Sequence, residues 1–213
     1  MRVISNITSL LECEEFEGCT FENIIAKEHD LKYKYFTSSI FTNCDFSKCD
    51  ITGGVFRNCI FTNCNLSLVN FSKADINTTE FSYCKLIGID WSAIKQRKRY
   101  SKRKDKFSIL FDQCILNYSI FIGMDLYQSS FSNCILKEVC FEDTDLECSK
   151  FTNSDLTDST FKNSILRKAD LSTAKNYNIN ANLNDIKQAK FSFPEAISLI
   201  YSLEIEILEQ DAK

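Results

Sequence analysis

The chain has 213 residues, 44% hydrophobic and 25% charged, with a formal net charge of −4, which is enough for one sizeable core and asks for no second globular domain. Five Gly and one Pro argue against a hairpin-rich β-fold, and no apolar run approaches the roughly 18 residues of a membrane span. Eleven Cys, an odd number, do not fit the disulfide frameworks of short secreted chains, and the start MRVISNITSLLECEEF lacks the regions of a secretory signal, so the expected location is cytoplasmic.

Residues 1–13, with Ile4, Ile7, Leu10 and Leu11, are the expected N-terminal cap. From Phe16 onward large apolar residues recur at every fifth position: Phe21, Ala26, Leu31, Phe36, Phe41, Phe46, and on to Trp91. The series resumes at Phe111 and runs through Leu116, Phe121 and Leu126 to Leu171, with Phe and Leu in alternation up to Leu166. Two places before each large residue the side chain is usually small, and eight of the eleven Cys occupy that slot, among them Cys44, Cys64, Cys84 and Cys114. A period of five fits neither a helix at 3.6 nor a strand at 2, so each unit ends by turning a corner. Four corners close a square, the large and the small residue both point inward, and residue n stacks against residue n+20 at about the 4.8 Å strand spacing. The Cys are then core thiols acting as small hydrophobes.

Units such as KADIN, KADLS, NSDLT and NCDFS give the small residue, the Asp and the apolar residue in order. In this the chain resembles the pentapeptide-repeat family over roughly residues 14–175, and within it the Qnr-type quinolone-resistance proteins. The resemblance implies an all-β solenoid, a right-handed quadrilateral β-helix, here with a short C-terminal α-helix. Coils are expected over 14–91 and 111–175, interrupted by a loop at 92–110 and closed by a helix and strand cap at 176–213. The first coil is imperfect, because Glu14, His29 and Lys34 fill small slots and Ala26 a large one, so it is expected to bulge or to stay partly open.

Between Trp91 and Phe111 the inward slots would hold Gln96, Ser101 and Lys106, so a loop leaves the coil. Residues 95–106 carry eight Lys or Arg against one acid, while the remainder carries 17 basic and 28 acidic side chains. An acidic rod bears one basic loop. Column consistency favours insertion at a corner, with Phe111 above Phe16, Phe36, Phe56 and Ile76, and Cys114 and Cys134 above Cys19 and Cys59. Asp125 and Asp145 then continue the column of Asp30, Asp50, Asn70 and Asp90.

At the C-terminal end Ser192 and Glu195 carry a capping-box signal for a helix containing Ala196, Ile197, Leu199, Ile200 and Leu203. Ile205, Ile207 and Leu208 read as a terminal strand. The Qnr resemblance implies a homodimer through this segment, with Ile197, Ile200, Leu203, Ile205 and Ile207 at the contact; a monomeric cap is the alternative.

His29 is the only histidine, the Cys pairs five apart are adjacent core slots, and no phosphate-binding glycine motif occurs, so the expectation is a protein that is not an enzyme, with no catalytic residue, no metal and no cofactor. Two features remain for binding. The carboxylate column Asp30, Asp50, Asp90, Asp125 and Asp145 repeats at about 5 Å, comparable to the ~3.4 Å phosphate spacing of one DNA strand. The basic loop, Lys95, Arg97, Lys98, Arg99, Tyr100, Lys102, Arg103, Lys104 and Lys106, reads either as a solvated insertion or as a contact to an acidic surface or nucleic acid, with Tyr100 placed to stack on a base. The resemblance implies a DNA-mimicking partner of a bacterial type II topoisomerase, gyrase or topoisomerase IV, although no second, smaller loop interrupts the early coils and the single loop is unusually basic. A scaffolding repeat protein with an unrelated protein partner, and direct nucleic-acid binding through the loop, are the rival readings.

Overall fold

The computed structural model describes residues 2–95, 109–203 and 205, and over these the chain winds as an all-parallel β-solenoid with a short C-terminal helix at Ile197–Tyr201. Phe16 pairs with Phe36, Phe36 with Phe56, and Phe41 with Phe61, each one coil apart. Four bridge ladders per coil define four faces. Face 1 is centred on Phe16, Phe36 and Phe56, face 2 on Phe21, Phe41 and Phe61, face 3 on Ala26, Phe46 and Leu66, and face 4 on Leu31, Ile51 and Phe71. Face 2 forms a continuous seven-stranded parallel sheet, whereas faces 3 and 4 are held mainly by single bridges such as Asp45↔Asn65 and Asp50↔Asn70.

Each unit turns its corner through a residue of positive φ, two places after the inward large side chain: Asn23, Asn43, Asn63, Asn133 and Asn153 along one edge, for example. Asn reaches this conformation with little penalty because its short polar side chain bonds locally, which is how the chain turns so often with five Gly. Gly53 and Gly88 serve a closer need. A Cβ on Gly53 would stand 2.6 Å from the Tyr33 ring, and one on Gly88 would stand 2.7 Å from Leu68 Cδ2, so each glycine makes room for a side chain from the coil below.

The core is a ladder of rings. Phe21, Phe41 and Phe61 stack at 4.7 and 4.3 Å, and rings of adjacent faces meet edge-on, as Phe16 and Phe21 do at 5.2 Å. Such geometry adds about 0.5–1.5 kcal/mol per pair beyond the ~1.5–3 kcal/mol of burying each side chain. The small slot has its own rule. At many of these positions a thiol or hydroxyl donates to carbonyls two residues back and one coil below, as Cys44 Sγ does to Thr42 O (3.3 Å) and Phe21 O (3.5 Å), and Ser154 Oγ to Phe131 O (3.0 Å), although the buried hydroxyls of Ser129 and Ser149 make no such bond. Cys, Ser and Thr are therefore interchangeable there, since each is small and carries one donor.

The register across the interruption differs from the sequence expectation. Phe111 lies above Phe81 on face 2, not above Ile76 on face 1, and Trp91 stacks on Phe121 on face 4. Ile94 is buried and the Lys95 N–H donates to Ala74 O at 2.8 Å, so the chain enters face 1 in register before leaving it; buried Ile109 re-enters over Thr79. The described chain thus breaks off on face 1 at Lys95 and returns at Ile109 in the face 2 sheet. Cys114 and Cys134 consequently extend the column of Cys44, Cys64 and Cys84, not that of Cys19 and Cys59.

The N-terminal end is closed by the strand Arg2–Ile4, which joins the face 2 sheet beside Cys19–Glu22, and by the helix Ile7–Glu12, whose Leu10 is fully buried while Leu11 is exposed. Asn6 caps this helix through Ser9 N. Lys34 fills its small slot by aiming its ammonium at the helix end, donating to Leu11 O (3.2 Å) and Cys13 O (2.7 Å), so the first coil closes without bulging. At the other end bridges continue through Asp185 and Lys190, beyond the expected limit at 175. The capping box does not form: Ser192 Oγ donates to Ser172 O one coil below, and the helix starts at Ala196 without a side-chain cap.

Candidate functional site

The outward Asp of each unit has a structural task. Oδ1 of Asp45, Asp50, Asp90, Asp125, Asp145 and Asp170 accepts the N–H two residues ahead, at 2.9 to 3.2 Å, which fixes the start of the next turn. Oδ2 remains on the outside, so a carboxylate that braces its own corner also presents charge at a set height on a stiff rod.

The five carboxylates expected in one column fall on two faces. Asp30, Asp50, Asn70 and Asp90 run up face 4, and the next positions are Ile120 and Cys140. Asp125 and Asp145 pair on face 1, followed by Ile165 and Asp185. The displacement follows from the register at the loop, which advances Phe111 by one face and every later residue with it. Lys32 divides its ammonium between Asp30 (2.8 Å) and Asp50 (3.2 Å), Arg57 holds Asp75 at 2.7 Å, and Arg167 holds Asp185. The hydrogen bond from Lys32 holds the Asp30 carboxyl below its ordinary value. Burial pushes Asp50 up, but the Thr52 hydroxyl and N–H and the Lys32 ammonium together hold it below the usual range.

Of the basic segment, Lys95 is described: exposed on face 1, one coil above Asp75. Arg97, Lys98, Arg99, Tyr100, Lys102, Arg103, Lys104 and Lys106 lie outside the described residues. The segment therefore departs from face 1 one coil above the Asp75 carboxylate.

At the C-terminal end Ile197, Leu203 and Ile205 are exposed, joined by Phe193 and Tyr201, whereas Ile200 is half-buried and Leu199 packs on the core. Ile205 is not in a strand, and Ile207 and Leu208 lie outside the described residues. His29 is half-buried, its Nδ1 donating to Lys27 O (2.9 Å) and Ala26 O (3.1 Å), which ties the ring to the backbone. Among the described residues no group of three His, Cys, Asp or Glu is placed to hold a metal ion, and no helix is long and apolar enough to cross a membrane.

Sequence reasoning passed over one feature. Tyr118, Ile120, Ile122 and Ile135 are large, outward and exposed on faces 3 and 4 just past the interruption. Their signal is one Tyr and three Ile in outward slots, which the inward five-residue period does not mark.

These features define a repeat rod that offers faces rather than a cleft. Residues 34–101 and 108–171 match the family model described as "Pentapeptide repeat region", and the chain belongs to the pentapeptide-repeat family. It is similar in fold to full-length QnrB1, "a plasmid-mediated fluoroquinolone resistance protein", at 19% identity over 96% of this chain and 95% of that chain, with a TM-score of 0.57. A trypsin-treated form of QnrB1 aligns at 18% identity over 97% of each chain, with a TM-score of 0.55. No curated protein sequence matches the chain.

Proposed function

We propose that the chain is a non-catalytic binding protein that lies in a groove built for duplex DNA on a bacterial type II topoisomerase, gyrase or topoisomerase IV, and modulates or protects that enzyme. The observation that carries this reading is the pair of carboxylate runs, Asp30–Asp50–Asp90 on face 4 and Asp125–Asp145 on face 1, each carboxylate braced by a backbone N–H at a fixed height on a rigid rod. Rigidity lowers the ordering cost of binding. The fold shared with a fluoroquinolone resistance protein supports the reading, and the basic segment leaving face 1 beside Asp75 supplies a second contact, to the enzyme or to its DNA. The exposed Ile197, Leu203 and Ile205 are proposed, with Ile200 and Ile207, as a homodimer contact.

A supercoiling assay with purified gyrase, with and without a quinolone, tests this. Inhibition or protection at micromolar protein is expected, and neither at that concentration removes the reading. A second reading, a scaffold for an unrelated protein partner, is favoured by one observation: Lys32 already neutralises Asp30 and Asp50 in part. It expects no effect on supercoiling at all. Direct nucleic-acid binding through the loop expects oligonucleotide affinity that falls steeply with salt.

A further inference from the structure

The corner between faces 3 and 4 carries a surface that neither the loop nor the carboxylate runs use. Leu68, Gly88 and Tyr118 follow one another along it, coil by coil, and Leu68 lies against Gly88. Beside them on face 4, Ile120 and Ile122 flank buried Phe121 and both point outward, 36% and 42% exposed, with Tyr118 at 56%. The repeat does not require this, because the same two slots one coil below hold Asp90 and Ser92.

Immediately above, Glu138, Val139, Cys140, Asp158 and Thr160 line a shallow groove, and Cys140 bridges Ile120 below it and Thr160 above. Glu138 and Asp158 stand on the same corner as Tyr118, and Glu142 and Asp143 lie over Ile122 and Gly123. None of these four carboxylates holds a described ion pair, while nearby Lys137 is taken by Asp155 at 3.4 Å. Among the described residues Lys85, one coil below Ile115, and Lys162, one coil above Glu142, are the other cations at the margin. An apolar centre with an unneutralised acidic rim repels acidic partners and anionic surfaces and suits a cationic one.

We propose that this corner docks a basic amphipathic protein helix, whose large apolar side chains seat on Tyr118, Ile120 and Ile122 while a Lys or Arg one turn further on enters the groove between Glu138 and Asp158. The spacing fits: a helical turn of about 5.4 Å nearly matches the coil rise of about 4.8 Å, so a helix along the rod sets i and i+4 over successive coils.

Cys140, half-buried in the groove, is a built-in reporter, and half-buried Cys148, on the corner after Leu146, is its control. The full chain is alkylated with and without a synthetic helix of about fifteen residues bearing Leu on one face and Arg at i+4, and each Cys is followed by mass spectrometry. Saturating peptide should slow modification of Cys140 about tenfold, a shift of about 1.4 kcal/mol, and leave Cys148 unchanged. Tyr118→Ser with Ile122→Ser, and separately Glu138→Gln with Asp158→Asn, should each remove the protection while the melting curve stays in place, since all four side chains point outward. The proposal is overturned if millimolar peptide leaves Cys140 unprotected, or if a peptide with Glu in place of Arg protects equally. Protection that grows with protein concentration alone would assign the corner to a second copy and overturn it as well.

Discussion

Phe111 lies flat on Phe81, ring centroids 5.5 Å apart and planes 13° from parallel, although the whole basic segment separates them in sequence. With Trp91 on Phe121 at 5.8 Å, the core crosses the insertion unbroken. Replacing residues 97–106 by a short Gly-Ser connection should therefore leave stability within the ~0.5 kcal/mol usual for surface changes. Calorimetric melting checks this, and the same variant should lose the proposed effect on supercoiling.

Phe81 touches Phe61 (5.1 Å), Trp91 (5.8 Å) and Phe111, so it supports three coils at once. Phe81→Ala should cost about 3–5 kcal/mol in urea unfolding. Phe81→Leu should cost under about 1.5 kcal/mol, because Leu fills the same slot on faces 1 and 3 and the change approaches volume conservation.

The inward pattern was legible because period five can be satisfied only by a corner in every unit, and the buried Phe columns follow directly from it. The loop register was not. The Phe and Cys columns and the outward Asp ladder together favour Phe111 over face 1, yet outward residues tolerate Asp, Ile or Cys in one column, as Asp90, Ile120 and Cys140 demonstrate. Phe and Cys columns accompany both faces, Phe56 with Cys59 for face 1 and Phe81 with Cys84 for face 2, so stacking like on like fits either register. Buried Ile94 and Ile109, the signals of departure and return, escaped notice because they fill small slots with large side chains. The capping box failed for a similar reason: Ser192 belongs to a coil, and its hydroxyl is committed to Ser172.

Ile197 is 40% and Leu203 50% exposed at the end of the rod. If they form the proposed dimer contact, Ile197→Asp with Leu203→Asp should halve the mass measured by light scattering at micromolar concentration. The melting temperature extrapolated to infinite dilution should stay put. An unchanged mass for both proteins removes the dimer.

The Asx-type bonds give a pH dependence with a definite sign. Asp170 is held below the ordinary value first by the Ser172 hydroxyl, against burial, then by its N–H and by Lys190, and Asp50, which burial raises most, is brought below it by the Thr52 hydroxyl and N–H and by Lys32. A folded value below the unfolded one means the unfolded chain binds protons first, so this stabilisation is complete above about pH 4 and is lost as pH falls through and below it. Melting temperature should be flat from neutrality to about pH 5 and drop below about pH 4. Asp50→Asn keeps an acceptor for the Thr52 N–H, as Asn70 does for Ser72, so it should shallow the acid limb and leave the neutral value. Combined with Asp90→Asn it removes charge without removing the turn, and the proposed topoisomerase effect should weaken.

The thiol column predicts an opposite limb at alkaline pH. Burial pushes Cys59 up to about 11. Hydrogen bonding with the next thiol, then burial, pushes Cys84 and Cys114 up to about 12. Here the folded values lie above the unfolded ~8.5, so the unfolded chain releases protons first. The stabilisation is whole below about pH 8.5 and declines above it by about 1.4 kcal/mol per pH unit for each such thiol. Melting temperature should fall steeply between about pH 9 and pH 10.5, and Cys84→Ser with Cys114→Ser should flatten that fall. At pH 8 native alkylation should reach Cys13, Cys140 and Cys148 and spare the eight buried thiols until the chain unfolds. An equal melting temperature at pH 8 and pH 10 would show that the column does not keep its protons.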